Sequence, residues 1–102
     1  NMAMGKLIHI NDIDNDDMMQ ITVNNQNYLV AKINDRLYVT EDMCTHEDAE
    51  LTMGCLSGTK VKCPLHGSYF DLTSGAALNE PAEDPIKIYK TSIKNNFLYI
   101  DE

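Results

Sequence analysis

Two short segments of the chain each pair a cysteine with a histidine. The first is Cys44-Thr45-His46, and the second, which follows after sixteen intervening residues, is Cys63-Pro64-Leu65-His66. Thiolate sulfur and neutral imidazole nitrogen are both good ligands for transition metals. Each segment therefore offers two ligands, and together they predict a metal site assembled from two loops.

The mixture of ligand types within each segment bears on which metal is bound. Two cysteines and two histidines also make a tetrahedral zinc site, so a structural zinc module remains an alternative. A zinc finger usually takes both cysteines from one short turn and both histidines from one helix. The mixed segments instead suit a dinuclear iron–sulfur site, in which the two cysteines meet one iron and the two histidines meet the other.

The segments that must position these ligands have the character of β-strands. Short runs of alternating or β-rich sequence recur along the chain and predict an all-β fold, an antiparallel sandwich or barrel. The predicted strands cover residues 6–10, 18–23, 28–34, 37–40, 59–63, 85–91 and 97–101. Turn-forming residues mark reversals at 24–27, 34–35, 73–75 and 94–96.

Three segments interrupt the strand pattern, and two of them contain the candidate ligands. Residues 43–57 and 64–68 are poor strand material, so we expect each to be a loop, the first with a short helical turn around residues 47–51. A third loop, residues 76–84, contains Asn79-Glu80-Pro81 and leads into Pro85, which favours a stiff, extended backbone. This third loop is a candidate to cover the neighbouring site.

Length and charge exclude several classes of protein. The 102 residues fit a single domain spanning residues 1–102. The formal net charge of -8 argues against nucleic acid or an anionic membrane as partner and favours a protein with a basic face. No apolar run approaches the roughly 18 residues that a membrane span requires. Residues 1–5 lack the features of a signal peptide and look partly like a remnant of cloning, so we expect a cytoplasmic protein.

The paired segments and the surrounding strand pattern resemble the Rieske family of iron–sulfur proteins over nearly the whole chain. The resemblance implies a β-sandwich that holds one 2Fe-2S cluster at a tip formed by two loops, with the histidine-bound iron nearest the solvent. It further implies that Cys44 and Cys63 bind the inner iron and that His46 and His66 bind the outer iron.

Other residues near the implied tip carry expectations about the reduction potential. High-potential members of the family place a serine that donates to a cluster sulfur where this chain has Ser68, and a tyrosine where it has Phe70. Keeping one hydroxyl donor and losing the other predicts a potential in the lower half of the range of roughly -150 to +300 mV. Gly67 is expected to let the backbone approach the cluster closely.

The sequence departs from the respiratory branch of the family, which carries an additional, disulfide-bonded cysteine in each loop. Ala49 and Leu65 occupy those positions here. The difference points to the ferredoxin branch, which resembles the carriers of bacterial ring-hydroxylating dioxygenases. The implied function is a monomeric one-electron carrier between a reductase and a terminal oxygenase; an alternative is the small Rieske-like subunit of an assimilatory nitrite reductase.

Missing motifs exclude the other components of such a system. Once His46 and His66 hold the cluster, only His9 remains, so two histidines and a carboxylate cannot form a mononuclear iron site. The sequence also lacks the G-x-G-x-x-G segment of Rossmann-type flavin and nicotinamide domains. The chain is therefore expected to be an electron-transfer component and not an enzyme.

Several further residues have weaker expectations attached. Cys55 is expected to be buried as a small apolar residue, and His9 to lie at the surface. The acidic residues after His46 are candidates for a docking rim or simply for a solvated loop: Glu47, Asp48 and Glu50. Met43, Leu65 and Pro81 are candidates to shield the cluster, although Met43 and Leu65 would also suit the core.

Overall fold

A computed structural model describes residues 5–101 of the chain as three antiparallel sheets of three strands each. The predicted all-β fold is confirmed, and the helical elements in this range are two single-turn 3-10 helices, Ile10–Asp12 and Leu51–Met53. None of the helices in residues 5–101 is long and apolar enough to span a membrane. Residues 1–4, which hold most of the suspected cloning remnant, lie outside the described residues.

The central sheet is a meander of β2 (Asp17–Val23), β3 (Gln26–Ile33) and β4 (Arg36–Glu41). Its two hairpins turn at Asn24-Asn25 and at Asn34-Asp35, and all four of these residues have positive φ. Two consecutive left-handed residues are the signature of the tight hairpin turn whose twist matches that of the strands, and Asn and Asp tolerate this conformation best. The predicted reversals at these positions are confirmed.

Two outer sheets cover the two faces of the central one. The first joins β1 (Lys6–His9), β9 (Phe97–Ile100) and β8 (Thr91–Lys94), and the second joins β5 (Cys55–Ser57), β6 (Lys60–Lys62) and β7 (Tyr69–Asp71). The turn between β8 and β9 is again a left-handed pair, Asn95-Asn96, as predicted.

Strand β3 is buried on both of its faces. Leu29, Ala31 and Ile33 point into one core cluster together with residues of β6 and β7, whereas Val30 points into a second cluster with Leu98 of β9. Successive side chains of a strand face opposite sides, so a strand between two apolar layers is apolar throughout. The central sheet thus fixes the positions of both outer sheets.

The strand predicted at residues 85–91 is not formed. Pro85 has no N–H to donate, and the N–H of Lys87 donates to the Glu41 carboxylate at 2.6 Å instead of to a main-chain carbonyl. The segment runs extended beside β4, where the N–H of Tyr89 donates to the Val39 carbonyl at 3.0 Å. A regular strand begins only at Thr91.

The sequence analysis also missed the short strands β5 and β7 and misplaced a helical turn. The expected loop at residues 43–57 ends in β5, and its turn lies at Leu51–Met53, later than the predicted residues 47–51. Cys55 is exposed, because the three residues of β5 alternate and only Leu56 points inward. The prediction that Cys55 is buried was therefore wrong. His9 is half-buried, and its Nδ1 accepts from the N–H of Asn11 at 3.1 Å.

Gly75 closes the base of the third loop. Its φ is 85°. Its N–H donates to the Asp71 carbonyl at 2.7 Å and its carbonyl accepts from the N–H of Ile86 at 2.8 Å. A Cβ atom at this position would lie 2.3 Å from the Ile86 carbonyl oxygen. Both the backbone conformation and the space therefore require glycine here.

We expect Gly75→Ala to destabilise the protein far more than Gly58→Ala. Gly58 also has positive φ, at 58°, but a Cβ added there meets nothing within 4 Å. The left-handed strain of about 1 to 2 kcal/mol is common to both variants. The difference between their free energies of unfolding therefore isolates the cost of the backbone clash. If the clash costs about 2 kcal/mol, Gly75→Ala unfolds roughly 8 to 16 °C below Gly58→Ala in thermal melts followed by circular dichroism. Equal midpoints would contradict the close packing at this turn.

Candidate metal centre

The first ligand loop leaves the end of β4 and is anchored by a buried carboxylate. The N–H of Cys44 donates to the Ala49 carbonyl at 2.9 Å, which closes the loop. Asp42, 2% exposed, accepts the backbone N–H of Thr52 at 2.8 Å and its hydroxyl at 2.6 Å. Gln20 of β2 donates to the same carboxylate at 2.8 Å. Asp42 thus fixes the loop both to the central sheet and to the following 3-10 turn.

The second ligand loop is the turn of the β6–β7 hairpin. The N–H of Cys63 donates to the Ser68 carbonyl at 2.8 Å across the base of the loop. His66 and Gly67 are both left-handed, with φ of 65° and 74°. A Cβ on Gly67 would meet only Lys62 Cε, at 3.4 Å, so the conformation rather than crowding by protein atoms favours glycine. Close approach of this backbone to the cluster remains a prediction.

The third loop contacts both ligand loops. Thr45 Oγ1 of the first loop donates to the Asp84 carbonyl at 2.7 Å. The Asn79 side chain accepts the N–H of Tyr69 at 2.7 Å and donates to the Gly67 carbonyl at 3.2 Å. The third loop therefore lies beside the candidate site, as its sequence position indicated. It holds the other two loops in place relative to each other.

The two candidate cysteines form the buried half of the site. Cys44 and Cys63 are 3% and 1% exposed, both are free thiols, and Cys44 lies close enough to affect the Cys63 thiol. Burial raises the pKa of Cys63 to about 11; the adjacent Cys44 and the charge of Glu47 act in the same direction, and the N–H of Leu65 opposes them. Two thiolates at this depth need compensating positive charge, which iron held between them would supply.

The two candidate histidines form the exposed half. The centroids of the His46 and His66 rings are 5.8 Å apart and the rings are nearly perpendicular. Their side chains are 38% and 57% exposed. Nε2 of His66 lies 3.0 Å from Glu47 Oε1, and Nε2 of His46 lies 3.7 Å from the same oxygen. Nδ1 of each ring is left as the nitrogen to bind a metal.

The arrangement of the four side chains fits a dinuclear group. The sulfur pair is buried and the imidazole pair is exposed, so the two kinds of ligand lie at different depths. Among residues 5–101, no group of three His, Cys, Asp or Glu side chains is arranged to hold a single metal ion. A cluster with its thiolate-bound iron inside and its imidazole-bound iron outside matches this separation.

The other predicted site residues occupy different environments. Ser68 is 1% exposed, and its hydroxyl oxygen accepts the N–H of Ala82 at 2.9 Å, which leaves the hydroxyl proton available for donation. Phe70 is fully buried in the core. Met43 and Leu65 are 41% and 47% exposed, so neither belongs to the core.

Sequence reasoning missed Asp42 and Asn79 as anchors of the ligand loops. Both are single polar residues in irregular segments, and the only signal was that Asp42 lies two positions before Cys44 and that Asn79 precedes Glu80-Pro81. Glu47 was considered only as part of an acidic surface. In the structure, Asp48 and Glu50 are exposed, whereas the Glu47 carboxylate contacts both imidazoles.

Comparisons with known proteins match this chain over most of its length. The family model of the Rieske [2Fe-2S] domain matches residues 3–90. The ferredoxin component of the naphthalene 1,2-dioxygenase system of Pseudomonas putida is 33% identical over 94 residues, which are 92% of this chain and 90% of that relative.

Solved structures show the same likeness. The Sphingomonas yanoikuyae B1 ferredoxin superposes with a TM-score of 0.90 at 31% identity, covering 95% of this chain and 96% of its own. A chain in the complex of reduced oxygenase and oxidized ferredoxin of carbazole 1,9a-dioxygenase gives 0.88 at 28% identity, covering 94% and 99%. A nitrite reductase small subunit gives 0.79 at 20% identity over 95% and 96%, which is a likeness of fold alone.

We expect Asp42→Asn to loosen the first ligand loop. Replacing one carboxylate oxygen by an NH₂ group leaves a buried donor without its acceptor, at a cost of about 1 to 3 kcal/mol. Loss of about 1.4 kcal/mol of this anchoring energy corresponds to about tenfold faster release of bound metal. The release is measured as the loss of visible absorbance in the presence of a chelator. Glu50→Gln, which removes an exposed carboxylate from the same loop, should release metal at the unaltered rate. Equal rates for the two variants would show that Asp42 does not anchor the loop.

Proposed function

The chain belongs to the Rieske 2Fe-2S family, and we propose that it is the cytoplasmic, monomeric ferredoxin of a multicomponent oxygenase system. It is an electron carrier with a 2Fe-2S cluster as cofactor and is not itself the catalyst. We propose that Cys44 and Cys63 hold the inner iron and that His46 and His66 hold the outer iron. The observation that supports this assignment most directly is the separation of a buried thiol pair from an exposed imidazole pair.

The mixed ligand set explains why such a site accepts an electron readily. When bound, the cluster stores a single electron. Two thiolates balance the charge of its oxidised form, whereas four thiolates would leave two excess negative charges before any electron arrived. Adding an electron to the neutral site is easier, which raises the potential into the range of roughly -150 to +300 mV.

Ser68 is proposed to donate its hydroxyl hydrogen bond to the cluster. Its oxygen is already engaged as an acceptor by the N–H of Ala82, so its proton is the group left to point elsewhere. Phe70 offers no second hydroxyl. With one donor instead of two, the potential should lie in the lower half of the range of roughly -150 to +300 mV.

The exposed histidine edge is the proposed site of electron entry and exit. His66 is the more exposed of the pair, at 57%, and Met43 and Leu65 are exposed beside the ligands in sequence. The partners proposed are a reductase and a terminal oxygenase, and the net charge of -8 favours partners with basic docking faces. The solved complex of a related ferredoxin with its oxygenase supports this choice.

A nitrite reductase subunit is the less favoured alternative. It would make the chain a fixed part of one enzyme complex, whereas a shuttle is a free monomer between encounters. The ferredoxin relatives match at 33% identity over nearly the full length, while the nitrite reductase likeness is one of fold. Sedimentation of the purified protein as a stable monomer is the result expected of a shuttle.

The ligand assignment predicts a specific spectrum. Protein prepared without oxygen and then reduced should contain two irons and two acid-labile sulfides per chain, with an electron paramagnetic resonance average g-value below that of an all-cysteine cluster. His46→Ala and His66→Ala should each abolish this signal. His9→Ala, which removes the one remaining histidine, should leave it intact. Zinc without sulfide in the unaltered protein would refute the assignment.

Removal of the proposed serine donor should lower the potential. A hydrogen bond to a charged sulfur is worth about 1.5 to 3 kcal/mol. Because the potential changes only by the part of this energy that differs between the oxidised and reduced forms, we expect Ser68→Ala to lower the potential by less than about 130 mV in voltammetry of the loaded protein. Ser74→Ala is the matched control, because Ser74 is an exposed residue in the turn after β7, at the opposite end of that strand from Ser68. A potential unchanged in both variants would mean that Ser68 only stabilises the loop.

A further inference from the structure

The Glu47 carboxylate contacts both candidate imidazole ligands. One oxygen, Oε1, lies 3.0 Å from Nε2 of His66 and 3.7 Å from Nε2 of His46. Among residues 5–101, these are the two contacts of ion-pair length between acidic and basic side chains. At 33% exposure, the Glu47 side chain is also less exposed than either histidine. Its carboxylate is therefore partly shielded by the two rings that it contacts.

The nitrogens that face Glu47 determine what the contact can do. Each ring presents Nε2 to the carboxylate, so Nδ1 is the nitrogen available for iron. A metal-bound histidine commonly donates its other ring N–H to a carboxylate, and this hydrogen bond orients the ring and makes the ligating nitrogen more basic. The 3.0 Å between His66 Nε2 and Glu47 Oε1 is an ion-pair distance, so the carboxylate lies within reach of that ring nitrogen.

We propose that Glu47 is a positioning residue that orients both histidine ligands and lowers the reduction potential of the site. The inference rests on the proposed ligation by His46 and His66. A more basic imidazole stabilises the more highly charged, oxidised iron, and a carboxylate within a few ångströms opposes the arrival of an electron. Both effects favour the oxidised form and so lower the reduction potential.

The neighbouring acid provides a control for charge alone. Asp48 directly follows Glu47 and is exposed, so Asp48→Asn removes the same charge from the same loop without removing a contact to the imidazoles. A general effect of net charge would alter the potential equally in both variants, and solvent screening would make it small. A contact effect would appear in Glu47→Gln only.

The test compares reduction potentials of the cluster-loaded proteins by voltammetry at one pH and one ionic strength. Relative to the unaltered protein, we expect Glu47→Gln to shift the one-electron equilibrium about tenfold toward the reduced form, which is 59 mV. Asp48→Asn should shift it less than threefold. Equal shifts in the two variants, or no shift in Glu47→Gln, overturn the proposal.

A second variant covers the case in which Glu47→Gln does not take up the cluster. Glu47→Asp keeps the charge but shortens the side chain by one methylene, and we expect a shift of about threefold in the same direction. An unchanged potential in Glu47→Asp then overturns the proposal. Electron paramagnetic resonance of the same samples separates the two hypotheses: a Rieske signal with equal potentials refutes the role of Glu47 alone, whereas absence of that signal from the unaltered protein refutes the ligand assignment and this inference together.

Discussion

The structure depends on burying two cysteine sulfurs side by side between loops that belong to different sheets. Cys44 follows the end of β4 in the central sheet, and Cys63 follows β6 in an outer sheet. Both cysteines belong to the buried cluster through which the two sheets pack, together with Leu29, Val61 and Phe70. Apolar packing therefore sets the positions of the proposed cysteine ligands, and a bound metal would compensate the charge that this burial makes unfavourable.

Hydrogen bonds from single side chains hold the irregular segments in place. The ligand loops have no strand ladder to fix them, so their main-chain groups need other partners. Asp42 satisfies donors on one side of the site, and Asn79 satisfies a donor and an acceptor on the other. The positions of the histidines are thus set by polar contacts, whereas those of the cysteines are set mainly by the core.

The parts of this architecture that repeat along the chain could be read from the sequence, and the parts set by a single contact could not. Asn-Asn pairs marked the hairpins because left-handed residues are rare and chemically selective. Strand β5 is only three residues long, too short for an alternating pattern to show which way Cys55 points. The segment at residues 85–90 keeps only an isolated bridge to β4, because Pro85 has no N–H and the N–H of Lys87 donates to the Glu41 carboxylate. The role of Glu47 depends on a tertiary contact that no local pattern records.

The N–H of Ile100 donates to the Gly5 carbonyl at 2.8 Å, which brings the two ends of the described chain together. Both ends belong to the sheet on the face of the central sheet opposite the one that carries the second ligand loop. A tether attached at either end would therefore leave the imidazole edge unobstructed. Attachment to an electrode or a resin through either end would hold the protein by the sheet that does not carry the second ligand loop.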